Sequence, residues 1–396
     1  MRNILEGSHA IAETIKNIKP GVISAYPITP QTHIVEDLAK FKADGEASYE
    51  YVRAESEFAA ASIILGASAG GVRTYSATSS QGLLLMIEVL YNIAGMRLPI
   101  VMTCANRAIS APISIWNDHQ DAMSMRDAGW IMLFAENHQE AVEQHILAYK
   151  IAENIRIPVM VNIDGFVLTH TYEGVNIPSA KEIKKFLPDY KPKAGELLDV
   201  SKPVSFGTLA TPESYFEIRK ELHQDMRSAQ GLIKEEYEKL KELVPSAIKV
   251  SEKAALINNG LVEYYGPKNP KTVLIALGSV IGTIKDVIDE HDKKRGIKFY
   301  NSVGVLKIKT FRPFPSAEIL NIIKTAKNIA VIEKAVSLGA NDGPLAMEVK
   351  TIAKNKINGK VQGFIVGLGG RDITKGRIDK IIREVRESGD RMKFVG

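Results

Sequence analysis

Apolar residues along the chain form short runs that are separated by segments with helical spacing. Between residue 8 and about residue 165, six runs predict strands at Val22–Tyr26, Tyr49–Ala54, Val72–Thr78, Ile100–Ala105, Trp130–Ala135 and Val159–Ile163. The intervening pattern predicts helices over residues 56–66, 81–93 and 138–154. Short apolar strands that alternate with helices are typical of a parallel sheet covered on both faces. The pattern therefore predicts a doubly wound α/β domain.

A second α/β unit follows a long connection. Residues 166–215, which include Pro178, Pro188, Pro192 and Pro203, predict an irregular connector that wraps the first domain, and residues 214–258 show a helical period rich in Glu and Lys. From residue 272 onwards, the runs VLIALGS, FYNSVGVLKIK, IAVIEKA and FIVGL predict strands that alternate with helices near 281–291, 316–326, 343–354 and 375–387. The tail after residue 388 is short and polar, and we expect it to be frayed.

Composition narrows the class of protein. A chain of 396 residues predicts two or three domains, and 45% apolar with 24% charged residues is ordinary for a globular protein. The net charge of +5 comes without a dense basic block, which argues against a nucleic-acid partner. The start of the chain is polar and broken, unlike a signal peptide, and no apolar run approaches the roughly 18 residues of a membrane span. We therefore expect a cytoplasmic protein with no membrane partner.

Several site classes are disfavoured by the residues themselves. The single cysteine, Cys104, lies in the apolar run PIVMTCAN and is predicted to be buried, and one cysteine cannot build a disulfide framework or an iron–sulfur site. The run from Gly367 to Gly370 follows a strand but lacks the spacing of a dinucleotide motif. Asp118 and Asp121 resemble a metal pair, although the cap of a helix is the favoured interpretation. His119 between them is a weak candidate for a site residue, and we predict no metal site.

Polar side chains follow each of the first four predicted strands. The first strand ends in the sequence PITP, where two prolines fix φ and stiffen the corner. Because the carboxyl ends of parallel strands meet at one edge of a sheet, the junction residues should share one rim, where α/β proteins bind ligands. In strand order, these residues are Thr29, then Glu55 and Glu57, then Ser79, Ser80 and Gly82, and finally Arg107.

Each of these residues also has a purely structural interpretation. Thr29 could mark a tight turn, and Glu57 could serve only the dipole and free N–H groups of its helix. The functional alternative for Glu57 is a partly desolvated carboxyl that hydrogen-bonds a cofactor nitrogen. The turn at Ser79 and Ser80 could present N–H groups to a ligand or could cap a helix. Arg107 follows an apolar strand, which favours a bidentate anion clamp over a surface arginine.

Longer segments around these junctions resemble a known family. The segments AYPITPQT, ESEFAAASIILGASAGGVRTYSATSSQGLLLMIEVLY, GMRLPIVMTCANRA and IWNDHQDAMSMRDAGW are similar to the α subunit of pyruvate:ferredoxin oxidoreductases, within the wider 2-oxoacid:ferredoxin oxidoreductase family. The resemblance extends through FRPFP to GLGGRD and so covers nearly the whole chain. It implies a thiamine diphosphate pyrimidine-binding domain with its connector over residues 1–230, a helical linker over 231–259 and a transketolase C-terminal-like α/β domain over 260–396.

The family splits a 2-oxoacid into CO2 and an acyl-CoA with thiamine diphosphate, coenzyme A and ferredoxin. The resemblance thus implies an enzyme subunit for the CoA-dependent oxidative decarboxylation of pyruvate to acetyl-CoA, with electrons passed to ferredoxin. Mg2+, the diphosphate site and the [4Fe-4S] clusters would lie on partner subunits (beta, gamma and delta), because this chain has one cysteine and no diphosphate motif. The chain would carry half of a shared active site and be inactive alone.

The resemblance also implies roles for individual residues. Glu57 matches the family glutamate that contacts N1′ of the aminopyrimidine and favours its imino tautomer. Thr29 and Arg107 match the residues that hold the carboxylate and carbonyl of the substrate. The other cofactor contacts implied are Pro27, Ile28, Ser79 and Ser80.

Three other functions remain open at this point. The same chemistry could act on 2-oxoglutarate or on a branched-chain or aryl 2-oxoacid, because the implied residues contact only the head group that these acids share. The rim could instead shape the interface of a non-catalytic assembly subunit. The chain could also be an unrelated α/β nucleotide-binding protein.

Overall fold

The computed structural model describes residues 3–244, 257–295, 302–387 and 389–396. Up to residue 244 the elements are β1 (Asn3–Glu6), α1 (Gly7–Ile18), β2 (Val22–Ala25), α2 (Thr32–Ala43), β3 (Glu50–Arg53), α3 (Glu57–Ala69), β4 (Thr74–Thr78), α4 (Ser80–Leu85), α5 (Ile87–Gly95), β5 (Val101–Asn106), α6 (Gln120–Ser124), β6 (Ile131–Phe134), α7 (His138–Ile155), β7 (Val159–Asp164), β8 (Tyr172–Val175), α8 (Ala180–Phe186) and α9 (Pro212–Leu243). From residue 257 they are β9 (Ile257–Asn258), β10 (Val262–Tyr265), β11 (Thr272–Ala276), α10 (Val280–Arg295), β12 (Val303–Ile308), β13 (Thr310–Arg312), α11 (Ser316–Ile323), β14 (Asn328–Glu333), α12 (Pro344–Ala353), β15 (Lys360–Ile365), a 3-10 turn (Leu368–Gly370), α13 (Lys375–Glu387) and β16 (Lys393–Phe394).

The first sheet has the strand order β13-β6-β7-β5-β4-β2-β3. The six strands from the first part of the chain are all parallel, as predicted. Every residue of β5 and β7 is buried, because helices cover both faces of a parallel sheet. Cys104 of β5 is fully buried among apolar side chains, which confirms its prediction. The predicted doubly wound α/β architecture is confirmed.

The second sheet has the order β16-β15-β14-β11-β12-β10-β9. Its strands β11, β12, β14, β15 and β16 are parallel, whereas β10 runs antiparallel to both β12 and β9. Helices α10 and α13 bury apolar residues against one face of this sheet in a core that is separate from the first sheet. The second α/β unit is therefore also confirmed.

The two units share a sheet and a core. Strand β13 follows β12 directly in the chain but pairs with β6, with Thr310 opposite Leu133. Nearby, the buried Lys307 ammonium donates to Glu136 at 2.7 Å and lies 3.1 Å from a carboxylate oxygen of Glu140. Burial alone would lower the pKa of Lys307, but the carboxylates of Glu136, Glu140 and Glu263 outweigh it and hold that pKa well above its usual value. A buried charge is tolerated only when it is paired in this way.

Several local predictions were wrong. The connector predicted to be irregular contains β8 and α8, and β8 pairs with β1 in a separate two-stranded sheet. The tail predicted to be frayed contains β16, which extends the second sheet and buries Val395. The helix predicted over 81–93 is two helices that meet at Met86. Residues 245–256 of the predicted helical segment and 299–301 of a predicted strand lie outside the described residues, and Ile257–Asn258 form a strand instead.

Helix α9 bridges the two units. It begins behind a Thr211 cap, where the hydroxyl accepts the N–H of Ser214, and Pro212 occupies the first turn, as is common at helix starts. The helix continues without a break past residue 230, and the domain limits given above stay a prediction. None of the helices in the described part of the chain is both long and apolar enough to cross a membrane.

Candidate functional site

The corner after β2 is held by a glutamine that sequence reasoning did not single out. The amide of Gln31 donates to the carbonyl of Ala77 at 2.6 Å, and its oxygen accepts the N–H of Ile28 at 3.3 Å. Gln31 thereby ties the corner to the end of β4. Pro27 and Thr29 are exposed on this corner and Ile28 is half-buried. The corner thus presents its polar apex at the carboxyl edge of the first sheet.

Glu57 begins α3, yet a neighbour performs the capping. The hydroxyl of Ser56 accepts the N–H of Ala59 at 3.1 Å, whereas the Glu57 carboxylate makes no hydrogen bond within the described chain. Its side chain is only 7% exposed and lies against Gly82, where an added Cβ would approach Oε1 to 2.6 Å. A glycine is needed for that close contact. The neighbouring Glu55 is exposed.

The turn between β4 and α4 leaves buried hydroxyl groups unpaired. Neither Thr78 Oγ1 nor Ser79 Oγ has a hydrogen-bond partner among the described residues, although both are fully buried. Ser80 adopts a left-handed φ of 46°, its N–H donates to Asp121 at 3.0 Å, and its hydroxyl donates to the Ala108 carbonyl at 2.5 Å. Buried polar groups normally find partners. The unpaired Thr78 hydroxyl and the unpaired Glu57 carboxylate thus both lie against Gly82.

Arg107 reaches from the end of β5 to the β2 corner. Its Nη1 donates to the carbonyl of Thr29 at 2.9 Å and its Nε to the carbonyl of Ser114 at 3.1 Å. The side chain is 6% exposed, and burial lowers its pKa, an effect that the nearby Asp121 charge opposes. Arginine has five N–H groups, so with two used here three remain for a ligand. The structure thus brings Thr29 and Arg107 together, as the strand-end argument expects.

The Asp121 carboxylate connects the junctions after β4 and β5. One oxygen accepts the N–H of Ser80 at 3.0 Å and that of Arg107 at 2.9 Å. The other accepts the N–H of Ala122 at 2.7 Å and the amide of Asn106 at 3.1 Å. Burial raises the pKa of this carboxyl to about 6, although these donors favour its ionised form. Because its lone pairs are occupied, Asp121 is a structural acceptor and not half of a metal pair.

Asp118 and the glycines near the end of the chain form a contact between the two units. Asp118 accepts the N–H of Gln120, the first residue of α6, at 3.0 Å and the N–H of Gly369 at 3.1 Å, although the N-cap position itself is His119 and has no side-chain cap. The N–H of Gly370 donates to the Asn117 carbonyl at 2.7 Å. Burial raises the pKa of Asp118 to about 6. The glycine run therefore packs on the loop that carries Asp118.

His119 belongs to a buried polar cluster at the same contact. Its Nε2 lies 2.5 Å from one oxygen of Asp164, while the other oxygen accepts Lys334 Nζ at 2.6 Å and the N–H of Ser279 at 2.9 Å. Burial would raise the pKa of Asp164, but the charges of Lys334 and His119 outweigh it and lower that pKa far below its usual range. This geometry explains His119 as part of the junction between the units.

Several exposed apolar side chains lie close in the sequence to the residues of the site. They follow or precede its polar residues in the chain: Tyr26 (39% exposed), Phe58 (41%), Leu85 (51%), Ile113 (77%) and Trp116 (53%). Large apolar groups clustered around a polar site mark surfaces that another molecule covers. The site thus lies on an edge suited to a partner.

Sequence reasoning missed two residues that build the site. Gln31 directly follows the second proline of the corner, and its position there was the available signal. Asp121 was noted only as half of a metal pair or as a cap. Its actual role depends on two backbone N–H groups that lie 41 and 14 residues away in the chain.

Comparison with known families matches both halves of the chain. Residues 13–238 match the family model of pyruvate flavodoxin/ferredoxin oxidoreductase, thiamine diphosphate-binding, and residues 271–378 match that of pyruvate:ferredoxin oxidoreductase core domain II. The chain belongs to the pyruvate:ferredoxin oxidoreductase family. The resemblance seen in the junction segments is therefore confirmed for the whole chain.

Curated relatives in this family align over almost their full length. Pyruvate synthase subunit PorA of Methanocaldococcus jannaschii is 48% identical over 98% of this chain and 95% of its own length. Ketoisovalerate oxidoreductase subunit VorA of Pyrococcus horikoshii is 38% identical over 100% of this chain and 94% of its own.

Solved structures show the same fold at low identity. A 2-oxoglutarate:ferredoxin oxidoreductase from Magnetococcus marinus superimposes with a TM-score of 0.68 at 19% identity, over 96% of this chain. This chain spans 65% of that structure's chain. A split-gene transketolase, described as an inactive β4 tetramer, gives a TM-score of 0.54 at 10% identity over 97% of this chain and 98% of its own. The predicted transketolase-like architecture is thereby confirmed.

Proposed function

We propose that this chain is the α subunit of a pyruvate:ferredoxin oxidoreductase that converts pyruvate and coenzyme A into acetyl-CoA and CO2 and passes electrons to ferredoxin. The observation that carries the proposal is the convergence of Glu57, Thr29 and Arg107 at one sheet edge, in a chain whose family model is thiamine diphosphate-binding. Bound thiamine diphosphate supplies the electron sink for the loss of CO2.

Glu57 is proposed to hold the aminopyrimidine of that cofactor. Its carboxylate is buried, unpaired and pressed against Gly82, so it is available to accept a proton or a hydrogen bond from a ring nitrogen. Pro27 and Ile28 would border the ring at the β2 corner.

Arg107 and Thr29 are proposed to hold the 2-oxoacid. The three N–H groups of Arg107 that have no partner within the described chain suit a carboxylate, and charge-assisted contacts of this kind fix orientation as well as affinity. The Thr29 hydroxyl is exposed at the same place and can donate to the substrate carbonyl. Exclusion of water by a covering partner would strengthen both contacts.

The remaining parts of the active site are proposed to lie on other subunits. The exposed apolar side chains that neighbour the site residues in sequence would be covered by a beta subunit that holds the diphosphate with Mg2+, and [4Fe-4S] clusters on partner subunits, among them gamma and delta subunits, would carry electrons to ferredoxin. A single buried cysteine in this chain is consistent with clusters bound elsewhere. The isolated chain should then be inactive.

A second candidate substrate is a branched-chain 2-oxoacid. The relative named ketoisovalerate oxidoreductase subunit VorA is 38% identical, against 48% for pyruvate synthase subunit PorA. Since Thr29 and Arg107 would contact only the head group, the preference for pyruvate rests on the higher identity.

The test is 2-oxoacid-dependent reduction of methyl viologen or ferredoxin. It uses the chain alone and the complex with its co-purifying partners, with thiamine diphosphate, Mg2+ and coenzyme A, and with pyruvate, 3-methyl-2-oxobutanoate or 2-oxoglutarate as substrate. Glu57→Gln tests the site, and Glu55→Gln is the matched control, because that carboxylate is exposed two residues away.

We expect activity only in the complex, with the highest rate for pyruvate. Glu57→Gln should reduce this activity at least 100-fold, which is a loss of roughly 2.7 kcal/mol in transition-state stabilisation. Glu55→Gln should leave the activity unchanged. If 3-methyl-2-oxobutanoate were turned over faster than pyruvate, the substrate would be a branched-chain 2-oxoacid instead. A Glu57→Gln complex with full activity would instead support a non-catalytic assembly role.

A further inference from the structure

A large cleft lies away from the site described above. It has a volume of about 570 Å³ and is bounded by the turn before β6, by helix α9 and by the corner FRPFP after β13. Cavities of this size, within the usual range of roughly 300–1,000 Å³, hold small molecules. None of the residues proposed for catalysis lines it. The cleft is therefore a separate feature at the junction of the two units.

The walls of the cleft carry an excess of positive charge. Four arginines line it, Arg126, Arg219, Arg227 and Arg312, against two acids, Asp127 and Glu348. Arg312 pairs with Glu348 at 2.6 Å, and Arg126 lies 3.8 Å from Asp127. These contacts leave both acids with arginine partners.

The other two arginines project from one face of α9. Within the part of the chain that the structure describes, no carboxylate lies within ion-pair distance of Arg219 or Arg227; Arg219 only stacks on Tyr215, with 6.0 Å to the ring centroid. They are eight residues apart, so they lie on the same side of the helix at a rise of about 12 Å, and His223 lies between them. Two unpaired guanidinium groups aimed at one cavity favour anionic ligands.

The floor of the cleft is apolar. Trp130 and Leu222 are buried there, and Phe314 of the proline corner is held by an edge-to-face contact with Phe311 at 5.9 Å. The indole N–H of Trp130 is bonded to the carbonyl of Leu90 at 2.9 Å and the ring is only 1% exposed, whereas Phe314 is half-buried and offers an accessible apolar surface. The cleft therefore suits a ligand with an apolar body and more than one negative charge.

We propose that this cleft binds an organophosphate, a molecule of nucleoside diphosphate size whose phosphates contact Arg219 and Arg227 and whose apolar part lies against Phe314. The site does not depend on the function proposed above. Inorganic phosphate alone would fill a small part of the cavity, and an uncharged nucleoside would leave the arginines unpaired. Both the charge and the apolar body should contribute to affinity.

The test is isothermal titration calorimetry on the full chain with ADP, inorganic pyrophosphate and adenosine as probes at low ionic strength. The Arg219→Gln/Arg227→Gln variant removes the two unpaired charges. The matched control is Arg383→Gln/Arg391→Gln, which removes two exposed arginines away from the cleft. Circular dichroism checks that both variants are folded.

We expect ADP to bind at one site per chain with a dissociation constant below about 1 mM, pyrophosphate to bind more weakly and adenosine not to bind. In the Arg219→Gln/Arg227→Gln variant, the loss of charge-assisted contacts should weaken ADP binding about tenfold per arginine. The control variant should bind ADP as the wild type does. Absence of ADP and pyrophosphate binding, or equal binding by both variants, would overturn the proposal. If binding disappeared in the assembled complex, a partner subunit would occupy the cleft, and this result would also overturn the proposal.

Discussion

Replacement of Asp121 by alanine should disturb the site although this residue contacts no ligand. In the protein its carboxylate accepts N–H groups from Ser80 and Arg107, which belong to the junctions after two neighbouring strands. Alanine leaves both donors buried without a partner. Arg107 would then lose the anchor at its backbone that directs its guanidinium towards Thr29.

The expected cost follows from competing effects. A buried unpaired donor costs about 1–3 kcal/mol, so the N–H groups of Ser80, Arg107 and Ala122, which all lose this acceptor, together cost about 3–9 kcal/mol. The variant, however, also removes an ionised carboxyl that is unfavourable when buried. Burial raises the pKa of Asp121 from 3.8 to about 6, which corresponds to about 3 kcal/mol. We therefore expect a modest loss in global stability at neutral pH and a larger loss in acid.

The pH dependence has a definite sign. Because the pKa of Asp121 is higher in the folded protein, its protonation stabilises the fold below about pH 4, and this stabilisation is lost as the pH rises through about 6. The alanine variant lacks this contribution. The difference in unfolding free energy between wild type and Asp121→Ala should thus shrink by roughly 1 kcal/mol between pH 5 and pH 7.

Two measurements check the reasoning. Urea unfolding at pH 5 and pH 7 gives the stability difference, with Asp44→Ala, an exposed aspartate at the end of α2, as the control. Pyruvate-dependent viologen reduction by the reconstituted complex should show kcat/KM reduced by roughly 10- to 100-fold in Asp121→Ala, because a small displacement of an orienting group is costly. The kcat/KM of Asp121→Asn, which keeps one acceptor oxygen, should lie between the values for wild type and Asp121→Ala. An unchanged kcat/KM, or a stability difference that grows from pH 5 to pH 7, would refute this account.

Three further predictions concern close contacts in and behind the site. Gly82→Ala should lower turnover of the complex at least tenfold, because its Cβ would lie 2.6 Å from the Glu57 carboxylate and must displace it. Arg107→Lys should raise the KM for pyruvate about tenfold or more in steady-state kinetics, because an ammonium lacks the planar fork that reaches both carbonyl groups and substrate. Lys334→Met should lower the unfolding free energy by about 3–5 kcal/mol in urea titrations at pH 7, because it removes the ammonium partner of the fully buried Asp164 carboxylate and leaves it with only the His119 ring and hydrogen-bond donors. The depressed pKa of Asp164 means that this contribution is present above about pH 4 and fades as the pH falls further, so the gap to wild type should narrow in acid.

Each of these predictions has its own control. Gly66→Ala in α3 meets no atom within 4 Å and should leave turnover unchanged, so equal losses at both glycines would contradict the steric argument. An Arg107→Lys complex with an unaltered KM would remove this residue from substrate binding. A Lys334→Met protein as stable as wild type at pH 7 would show that the buried cluster is not a net contributor.

The parts of the fold that could be predicted are those decided locally. The six parallel strands are short runs, most of them predominantly apolar, between helical segments, and Val159–Ile163, for example, differs from the observed strand by one residue. Strands such as Thr310–Arg312 and Lys393–Phe394 have only three and two residues, too few to show a period. Their pairing is determined by sheet edges formed far away in the chain.

The residues of the candidate site also divide into those that local sequence predicts and those that depend on distant contacts. Glu57, Thr29 and Arg107 follow predicted strands, and parallel topology alone brings such residues to one edge. The contacts that hold Arg107 and the corner that carries Thr29, from Asp121 and Gln31, link segments distant in sequence, and their side-chain directions depend on the folded backbone. Sequence reasoning could therefore place these candidate groups at one sheet edge but could not assign the residues that position them.

The pairing of β13 with β6 has a consequence for biosynthesis. Strand β6 borders the first sheet until residues 310–312 are available, so a nascent or truncated chain that ends within α9 would present an open row of N–H and C=O groups. It would also lack Lys307, the partner of the Glu136 and Glu140 carboxylates. Such a fragment would be prone to strand-to-strand aggregation, and the first domain should reach a soluble native state only after the second unit has been synthesised.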